Sequence, residues 1–510
     1  MAEPFYVTTP IYYVNDEPHL GHAYTTILAD VLARFARLRE SEVFFLTGTD
    51  EHGQKVQEAA HVRGVDEQTH VDEMVTRFRD LWTELHIDYQ DFIRTTEPRH
   101  VQVVQTILQR LWDQGEIYRD EYEGWYCIPD ERFWTEKDLV DGNCPDCGRP
   151  VQRLTESNYF FRMSAYQDWL ITYINEHPSF IQPETRRNEV LGFLQQPLGD
   201  LCISRPRSRL SWGIPLPFDE NFVTYVWFDA LLNYVTAPGY LTDEARFERY
   251  WPHVMHLIGK DILTTHCVYW PTMLKAAGLA QPRTVFAHGW WVIQGTKMSK
   301  SRGNVVKPLD LARIYGVDAF RYFLMRDMTL GRDADFDEEG LVHRYQGDLA
   351  NDLGNLLHRV VNMIGRYCDG RVPEPQATKL NGTILRERCQ VVIPRVLSQV
   401  KQLRLNQALA DVMNLVNKIN GYLEQTAPWA LAKQKGREHE VDTALYTAAE
   451  ALRLVSILLW PVLPERMAEL WRRLGWHPPE TLRDGFQWGG LQPGAPVEPG
   501  PPLFPKDVLQ

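Results

Sequence analysis

The 510-residue sequence predicts an α/β protein, with a parallel, doubly wound sheet domain split by an inserted segment and followed by an all-α region. Three observations predict it. Near the N-terminus, runs rich in β-branched and aromatic residues each lead into a helical pattern, which is the grammar of βαβ units. That grammar stops, then returns after a break of about 100 residues, an ordinary domain size. Past residue 341 the strand signals end and long amphipathic stretches replace them.

Residues 5–14 read as a buried strand, and Asn15-Asp16-Glu17-Pro18 as a turn. From Gly21 the pattern turns helical, with Ile27, Val31, Leu32, Phe35 and Leu38 on one face. Residues 43–46 are a second strand, ending in Thr47-Gly48-Thr49-Asp50-Glu51-His52-Gly53 before another helix. Polar groups therefore gather at the carboxyl ends of parallel strands, where open sheets bind ligands. After the break, residues 254–258 predict a strand, and Gly259-Lys260-Asp261 opens a helix running to Ala277. Residues 284–287 predict another strand, which leads through His288-Gly289-Trp290-Trp291 to a basic loop, Lys297-Met298-Ser299-Lys300-Ser301. The amphipathic stretches at 349–367, 380–402, 405–424 and 444–459 predict an antiparallel helix bundle. Proline and glycine at 489–505 predict an extended strap. The expected divisions are 1–117 and 222–340 for the two halves of the sheet domain, 118–221 for the insertion, 341–488 for the bundle and 489–510 for the strap.

The chain is 44% hydrophobic and 24% charged, so a sizeable core is available. Its first residues lack a basic stretch followed by an apolar one, so no signal peptide is expected. No apolar run approaches the roughly 20 residues that span a membrane. Of seven cysteines only Cys127, Cys144 and Cys147 cluster, which points to a reducing cytoplasm and one metal site rather than a disulfide framework. The net charge of −13 argues against a nucleic-acid partner only weakly, because phosphate contacts need local Lys and Arg.

Two short motifs carry the chemistry. His19-Leu20-Gly21-His22 places two imidazoles at a helix start, where exposed N–H groups and the helix dipole favour anions. The Lys297–Ser301 motif places two ammonium groups and two hydroxyls on a loop flanked by Gly295 and Gly303. Each alone has an ordinary reading, as surface histidines capping a helix or as a solvated basic turn. Together, in this order within an α/β pattern, they supply charge and dipoles on both sides of a nucleotide triphosphate. Cys127-Ile128-Pro129-Asp130 and Cys144-Pro145-Asp146-Cys147, closed by Gly148, read as a knuckle, either folded around tetrahedral zinc or metal-free.

In motif order, spacing and architecture the chain resembles the bacterial methionyl-tRNA synthetases, which are class I aminoacyl-tRNA synthetases. The resemblance runs from Phe5 to the tail. It implies a Rossmann-type catalytic domain split by a zinc-knuckle insertion, then a helical anticodon-binding bundle. It also implies that methionine and Mg2+-bound ATP form methionyl-adenylate, which charges tRNA(Met), including the initiator, in the cytoplasm. By the same resemblance His19, Gly21, His22, Lys297, Ser299 and Lys300 bind ATP, with His19, His22, Lys297 and Lys300 catalytic. Asp50 holds the amino-acid ammonium, Arg205 its carboxylate, and Asp261 positions that arginine. Ile11, Tyr13, Trp227, Ala230, Tyr234 and His266 line the methionine pocket; Leu231 departs from a proline found in some members. Cys127, Asp130, Cys144 and Cys147 hold Zn2+, with Asp130 where the family usually has cysteine. Asn355, Arg359, Pro428 and Trp429 read the anticodon. A monomer without a membrane partner is expected. Synthetases for leucine, isoleucine or valine carry a larger editing insertion, and one for cysteine needs metal-binding cysteines at the first strand, which has none. A non-catalytic relative would have lost His19, His22, Lys297 and Lys300, all of which are present.

Overall fold

The computed structural model describes residues 3–509 apart from 16, 40, 129–131, 294–295, 298–306 and 377–382. In chain order its strands are β1 (Phe5–Thr8), β2 (Tyr12–Tyr13), β3 (Val43–Asp50), β4 (Asp91–Arg94), β5 (Ile117–Cys127), β6 (Arg132–Trp134), β7 (Gln152–Phe161), β8 (Ile181–Gln182) and β9 (Leu201–Cys202). They continue as β10 (Ser204–Pro206), β11 (Pro215–Leu216), β12 (Asp219–Thr224), β13 (Val254–Gly259), β14 (Thr284–His288), β15 (Trp291–Ile293), β16 (Thr296–Lys297) and β17 (Ala334–Asp335). The main sheet has seven parallel strands: β2-β3-β1-β13-β14-β8 in order, with β4 on the other edge of β3. From β1 the chain first builds outward to β3 and later returns to β13 on β1's opposite side. The direction of winding reverses between β1 and β13, which opens a crevice at the strands' carboxyl ends.

Three local expectations change. The strand expected over 5–14 is broken between β1 and β2, because Pro10 has no N–H for a ladder. Thr9 N–H still donates to Leu46 O at 3.1 Å, and Tyr12 and Tyr13 then rejoin β3 opposite Thr49 and Asp50. The helix expected from Gly259 begins as a 3-10 turn at Lys260–Ile262 and widens to a π turn at Thr265–Tyr269, before the α-helix Trp270–Ala276. Pro271 cannot donate one turn back and its ring crowds that carbonyl, so the wider turn absorbs the mismatch. The interval 118–221 feeds three sheets. One contains β6-β5-β7-β9, one contains β10-β12-β11, and β8 pairs with β14 at the edge of the main sheet.

The helix Leu20–Arg37 is buried along most of its length, between the sheet and the C-terminal helices. Its Asp30 is the hub of a buried polar network. Arg34 Nε donates to it at 2.8 Å, Arg321 Nη2 at 2.5 Å and Asp88 N–H at 2.9 Å. Burial pushes the Asp30 carboxyl up, but Arg321 and Arg34 outweigh it and hold it below the usual range. Arg321 also donates to Pro461 O and Val462 O, which ties this helix to a turn of the bundle. The bundle contains Asn355–Tyr367, Thr383–Lys401, Leu405–Thr426 and Glu438–Leu459, close to the expected spans, plus Pro464–Arg473. The strap is pinned where buried Glu450 accepts the N–H groups of Gly489, Gly490 and Leu491 at 2.7–3.0 Å. Among the described residues no helix is long and apolar enough to cross a membrane.

Candidate active site

The first signature caps a helix with its own imidazoles. His19 is the N-cap of Leu20–Arg37, and its Nδ1 accepts the Gly21 N–H at 3.0 Å. The His22 Nδ1 accepts the His19 N–H at 3.2 Å, and the two rings stack with centroids 3.8 Å apart. A neutral ring whose Nδ1 accepts carries its proton on Nε2, so the backbone sets the tautomer of both. Each ring is then an Nε2–H donor at a helix N-terminus. Gly21 is needed for this geometry, since a Cβ there would lie 2.9 Å from His19 Cε1. The Tyr12 ring, 4.7 Å from that of His22, supports the pair from below. Burial pushes the Tyr12 phenol up to about 12, against weaker hydrogen bonding from threonines, so it stays neutral.

The second signature is rooted beside the first. At the end of β14, His288 Nδ1 donates to Gly289 O at 2.8 Å, so its Nε2 accepts from Thr25 Oγ1, also at 2.8 Å. These residues are 263 positions apart in sequence, and Thr25 lies one turn past Gly21 and His22. Burial holds His288 below its ordinary range, which keeps it an acceptor. Three residues later β15 begins the hairpin that leads into the lysine motif, and Val292 pairs with Lys297. Ser299 and Lys300 lie outside the described residues, and only the backbone of Lys297 lies within them.

Asp50 and Tyr13 end the neighbouring strands β3 and β2, and Trp227, Ala230 and Tyr234 come from the two short helices that follow β12. Asp50, 2% exposed, closes β3 opposite Tyr13. Ile11, Tyr13 and Trp227 are half-buried and pack against the core that contains Tyr234. Ala230, Tyr234 and His266 are buried, and Tyr234 Oη meets His266 Nε2 at 2.8 Å. His266 Nδ1 donates to Ile262 O at 3.0 Å, so Nε2 accepts the hydrogen bond from the Tyr234 hydroxyl. Burial drives His266 down to about 4 and fixes it as neutral. Arg205 is 4% exposed; it donates to Ser204 O at 2.7 Å and lies over the Tyr225 ring at 4.6 Å. Asp261 is exposed and accepts the Trp290 indole N–H at 3.2 Å. Beside it Lys260 bonds Asp333 at 2.6 Å and sits 4.1 Å from the Trp290 ring centroid.

In the insertion, the sulfurs of Cys127, Cys144 and Cys147 lie within 4.8 Å of one another. Cys127 and Cys147 Sγ are 3.4 Å apart, too far for a disulfide and close to the roughly 3.8 Å that two Zn–S bonds of about 2.3 Å subtend. The knuckle turn closes through Gly148 N–H to Cys144 O at 2.8 Å, with Gly148 at φ +70°. The three soft donors fit zinc; Asp130 lies outside the described residues. In the bundle, Asn355 is exposed, Arg359 and Trp429 are half-buried, and Pro428 is buried. The Arg359 guanidinium lies 5.5 Å from the Trp429 ring centroid and pairs with Glu424 at 2.7 Å.

Thr25, His288 and Tyr12 were not expected at the site. The rule that singles out Asp50, a polar side chain ending a parallel strand, would also have found His288. The other two become visible only once the helix and strand are packed together.

The family model described as tRNA synthetases class I (M) matches residues 5–157 and 149–361. A methionine--tRNA ligase of Caldanaerobacter subterraneus subsp. tengcongensis is 48% identical, over 99% of this chain and 79% of that protein. One from Thermotoga maritima is 45% identical, over 98% and 80%. The methionyl-tRNA synthetase of Mycobacterium tuberculosis in complex with methionyl-adenylate superposes with a TM-score of 0.94 at 40% identity, covering 99% of this chain and all of that one. Its apo form gives 0.88 at 37% identity, covering 99% and 98%.

Proposed function

The chain belongs to the methionyl (M) branch of the class I tRNA synthetases, and from that premise we infer that it is a methionine--tRNA ligase whose two signature motifs act on one ATP. The observation that carries this reading is the Thr25–His288 hydrogen bond, which roots the lysine loop beside the imidazole-capped helix.

The methionine carboxylate attacks the α-phosphorus of Mg2+-bound ATP and pyrophosphate leaves; the terminal adenosine hydroxyl of tRNA(Met) then attacks the methionyl carbonyl, the acyl–phosphate bond breaks and AMP leaves. His19 and His22 donate Nε2–H to phosphate oxygens as charge develops on them, a preorganised stabilisation. Lys297, Ser299 and Lys300 meet the negative charge of the departing pyrophosphate. Asp50 holds the substrate ammonium, and Arg205, positioned with help from Asp261, holds the carboxylate. Ile11, Tyr13, Trp227, Ala230, Tyr234 and His266 form the side-chain slot, where aromatic contacts to the thioether stabilise by about 0.3–1.5 kcal/mol. No covalent enzyme intermediate is required. Both elongator and initiator tRNA(Met) are substrates of a monomeric, cytoplasmic enzyme, with Asn355, Arg359, Pro428 and Trp429 contacting the anticodon. Charging assays with the two tRNA(Met) transcripts and a non-cognate one test this: both cognate tRNAs accept methionine and the other does not. Failure to charge either cognate tRNA would contradict it.

Cys127, Cys144 and Cys147, with Asp130, would hold Zn2+, which cross-links the insertion and takes no part in the reaction. Elemental analysis of protein purified without chelator is expected to find about one zinc per chain. Zinc-free protein with an intact insertion would establish the metal-free alternative.

Gly21→Ala is expected to slow adenylate formation tenfold or more, the equivalent of at least about 1.4 kcal/mol. The new Cβ would displace the His19 ring, 2.9 Å away, without opening the core. Pyrophosphate exchange should therefore fall while the thermal midpoint stays within about 2 °C, a small ΔΔG for a chain this size.

A further inference from the structure

Three buried side chains that the reaction above leaves unused form one hydrogen-bonded unit. The Asp229 Oδ2 meets His52 Nδ1 at 2.7 Å, and its Oδ1 meets His100 Nε2, also at 2.7 Å. Asp229 and His100 are completely buried and His52 is 6% exposed. Burial pushes the Asp229 carboxyl up, but the two imidazoles outweigh it and hold the acid below its usual range. An ionised carboxylate only accepts, so His52 donates from Nδ1 and His100 from Nε2.

Each member comes from a different element, and two adjoin the proposed methionine contacts. His52 lies two residues past Asp50, in the segment that leaves β3. Asp229 lies in the short helix Val226–Ala230, between Trp227 and Ala230. Trp227 and Ala230 are three residues apart and share a face. Asp229 is turned about 100° from Ala230, so its carboxylate braces the helix from another side. His100 comes from the helix Pro98–Asp113, behind both. The segment after Asp50 is held on its other side as well. Buried Glu51 takes two bonds from Arg94, at 2.7 and 3.0 Å, and the Trp212 indole donates to Glu51 O at 2.5 Å. The acid that would take the ammonium and the wall that would take the side chain are thus joined through a single carboxylate.

We propose that His52, Asp229 and His100 are positioning residues for amino-acid selection, which set the distance between Asp50 and the Trp227–Ala230 wall and thereby the side-chain length the slot accepts. The proposal rests on the reading of Asp50, Trp227 and Ala230 as methionine contacts. A wall displaced by a fraction of an ångström costs binding and discrimination but leaves the phosphate chemistry alone.

The test uses pyrophosphate exchange normalised by active-site titration, with methionine and its thioether-free analogue norleucine. Asp229→Asn keeps the volume but turns an amide N–H2 toward one imidazole donor. It is expected to raise KM for methionine at least tenfold, keep kcat within threefold, and lower the preference over norleucine. His100→Leu is expected to do the same. His100→Gln retains an N–H donor and should keep KM within threefold of wild type. A merely structural role predicts the opposite pattern: fewer active molecules and a lower thermal midpoint, unchanged KM per active site, and no advantage of glutamine over leucine. That pattern overturns the proposal. If Asp229→Asn does not fold, the contrast between His100→Gln and His100→Leu decides. Asp50→Asn separates the two layers. If it raises KM while the Asp229 and His100 variants do not, the positioning role is wrong and the site reading stands. If it too leaves KM unchanged, the site reading fails and takes the proposal with it.

Discussion

Lys300→Ala is expected to slow single-turnover formation of methionyl-adenylate by about two to three orders of magnitude, the usual cost of removing a preorganised partner of transition-state charge. Methionine affinity should stay within about threefold, because the ammonium is needed only as charge builds on the leaving pyrophosphate. The reason lies in how the two signatures are assembled. His288 and Thr25 hold the root of the loop against the first turns of the helix that His19 caps. On the proposed reading, charge from the loop and N–H dipoles from the helix meet the triphosphate from two sides. The imidazoles are fixed by backbone bonds through Nδ1, so on the proposed reading they cannot replace an ammonium that meets the leaving pyrophosphate. Rapid-quench measurement of adenylate, with methionine binding followed separately, tests this. Activation surviving above about a tenth of wild type, a loss below about 1.4 kcal/mol, would remove Lys300 from the transition state.

Trp429→Ala is expected to separate the two half-reactions. Loss of one base-stacking contact, about 1–3 kcal/mol, should lower kcat/KM for tRNA by about 5–150-fold at about 1.4 kcal/mol per factor of ten. Methionine-dependent pyrophosphate exchange should stay within about twofold, since it needs no tRNA. The indole is half-buried and faces the Arg359 guanidinium rather than the bundle core. Its removal should therefore leave no cavity of the kind that costs about 3–5 kcal/mol. A collapsed thermal midpoint with both activities falling together would show that Trp429 is a packing residue.

What could be read in the sequence was whatever local pattern carries. The hydrophobic runs of β1, β3, β13 and β14, the amphipathic periodicity of the bundle and the two signatures are all local, and the structure holds the runs, the bundle helices and the first signature where they were expected. The break at Pro10 was legible in principle, since a proline has no N–H for a ladder. The π turn before Trp270-Pro271 was not, because it depends on how the chain resolves one crowded carbonyl. β8 escaped notice because two residues carry no periodicity; only its pairing with β14 makes them a strand. The same holds for function. His19 and His22 announce themselves by spacing, whereas Thr25–His288 and His52–Asp229–His100 join residues from 129 to 263 positions apart. Such pairs have no sequence signature until the fold brings them together. The helix Pro464–Arg473 is different: it falls within the span expected for the bundle, and its amphipathic pattern is legible in the sequence.

The central claim is that this crevice selects methionine and joins it to ATP. The most direct measurement is ATP–pyrophosphate exchange on the purified chain, with methionine, leucine, isoleucine, valine and cysteine presented in turn and no tRNA added. The account predicts exchange with methionine at a kcat/KM at least about a hundredfold above each of the others, the upper range of what an apolar pocket achieves. Equal or faster exchange with any other amino acid, or no exchange with methionine, would contradict it.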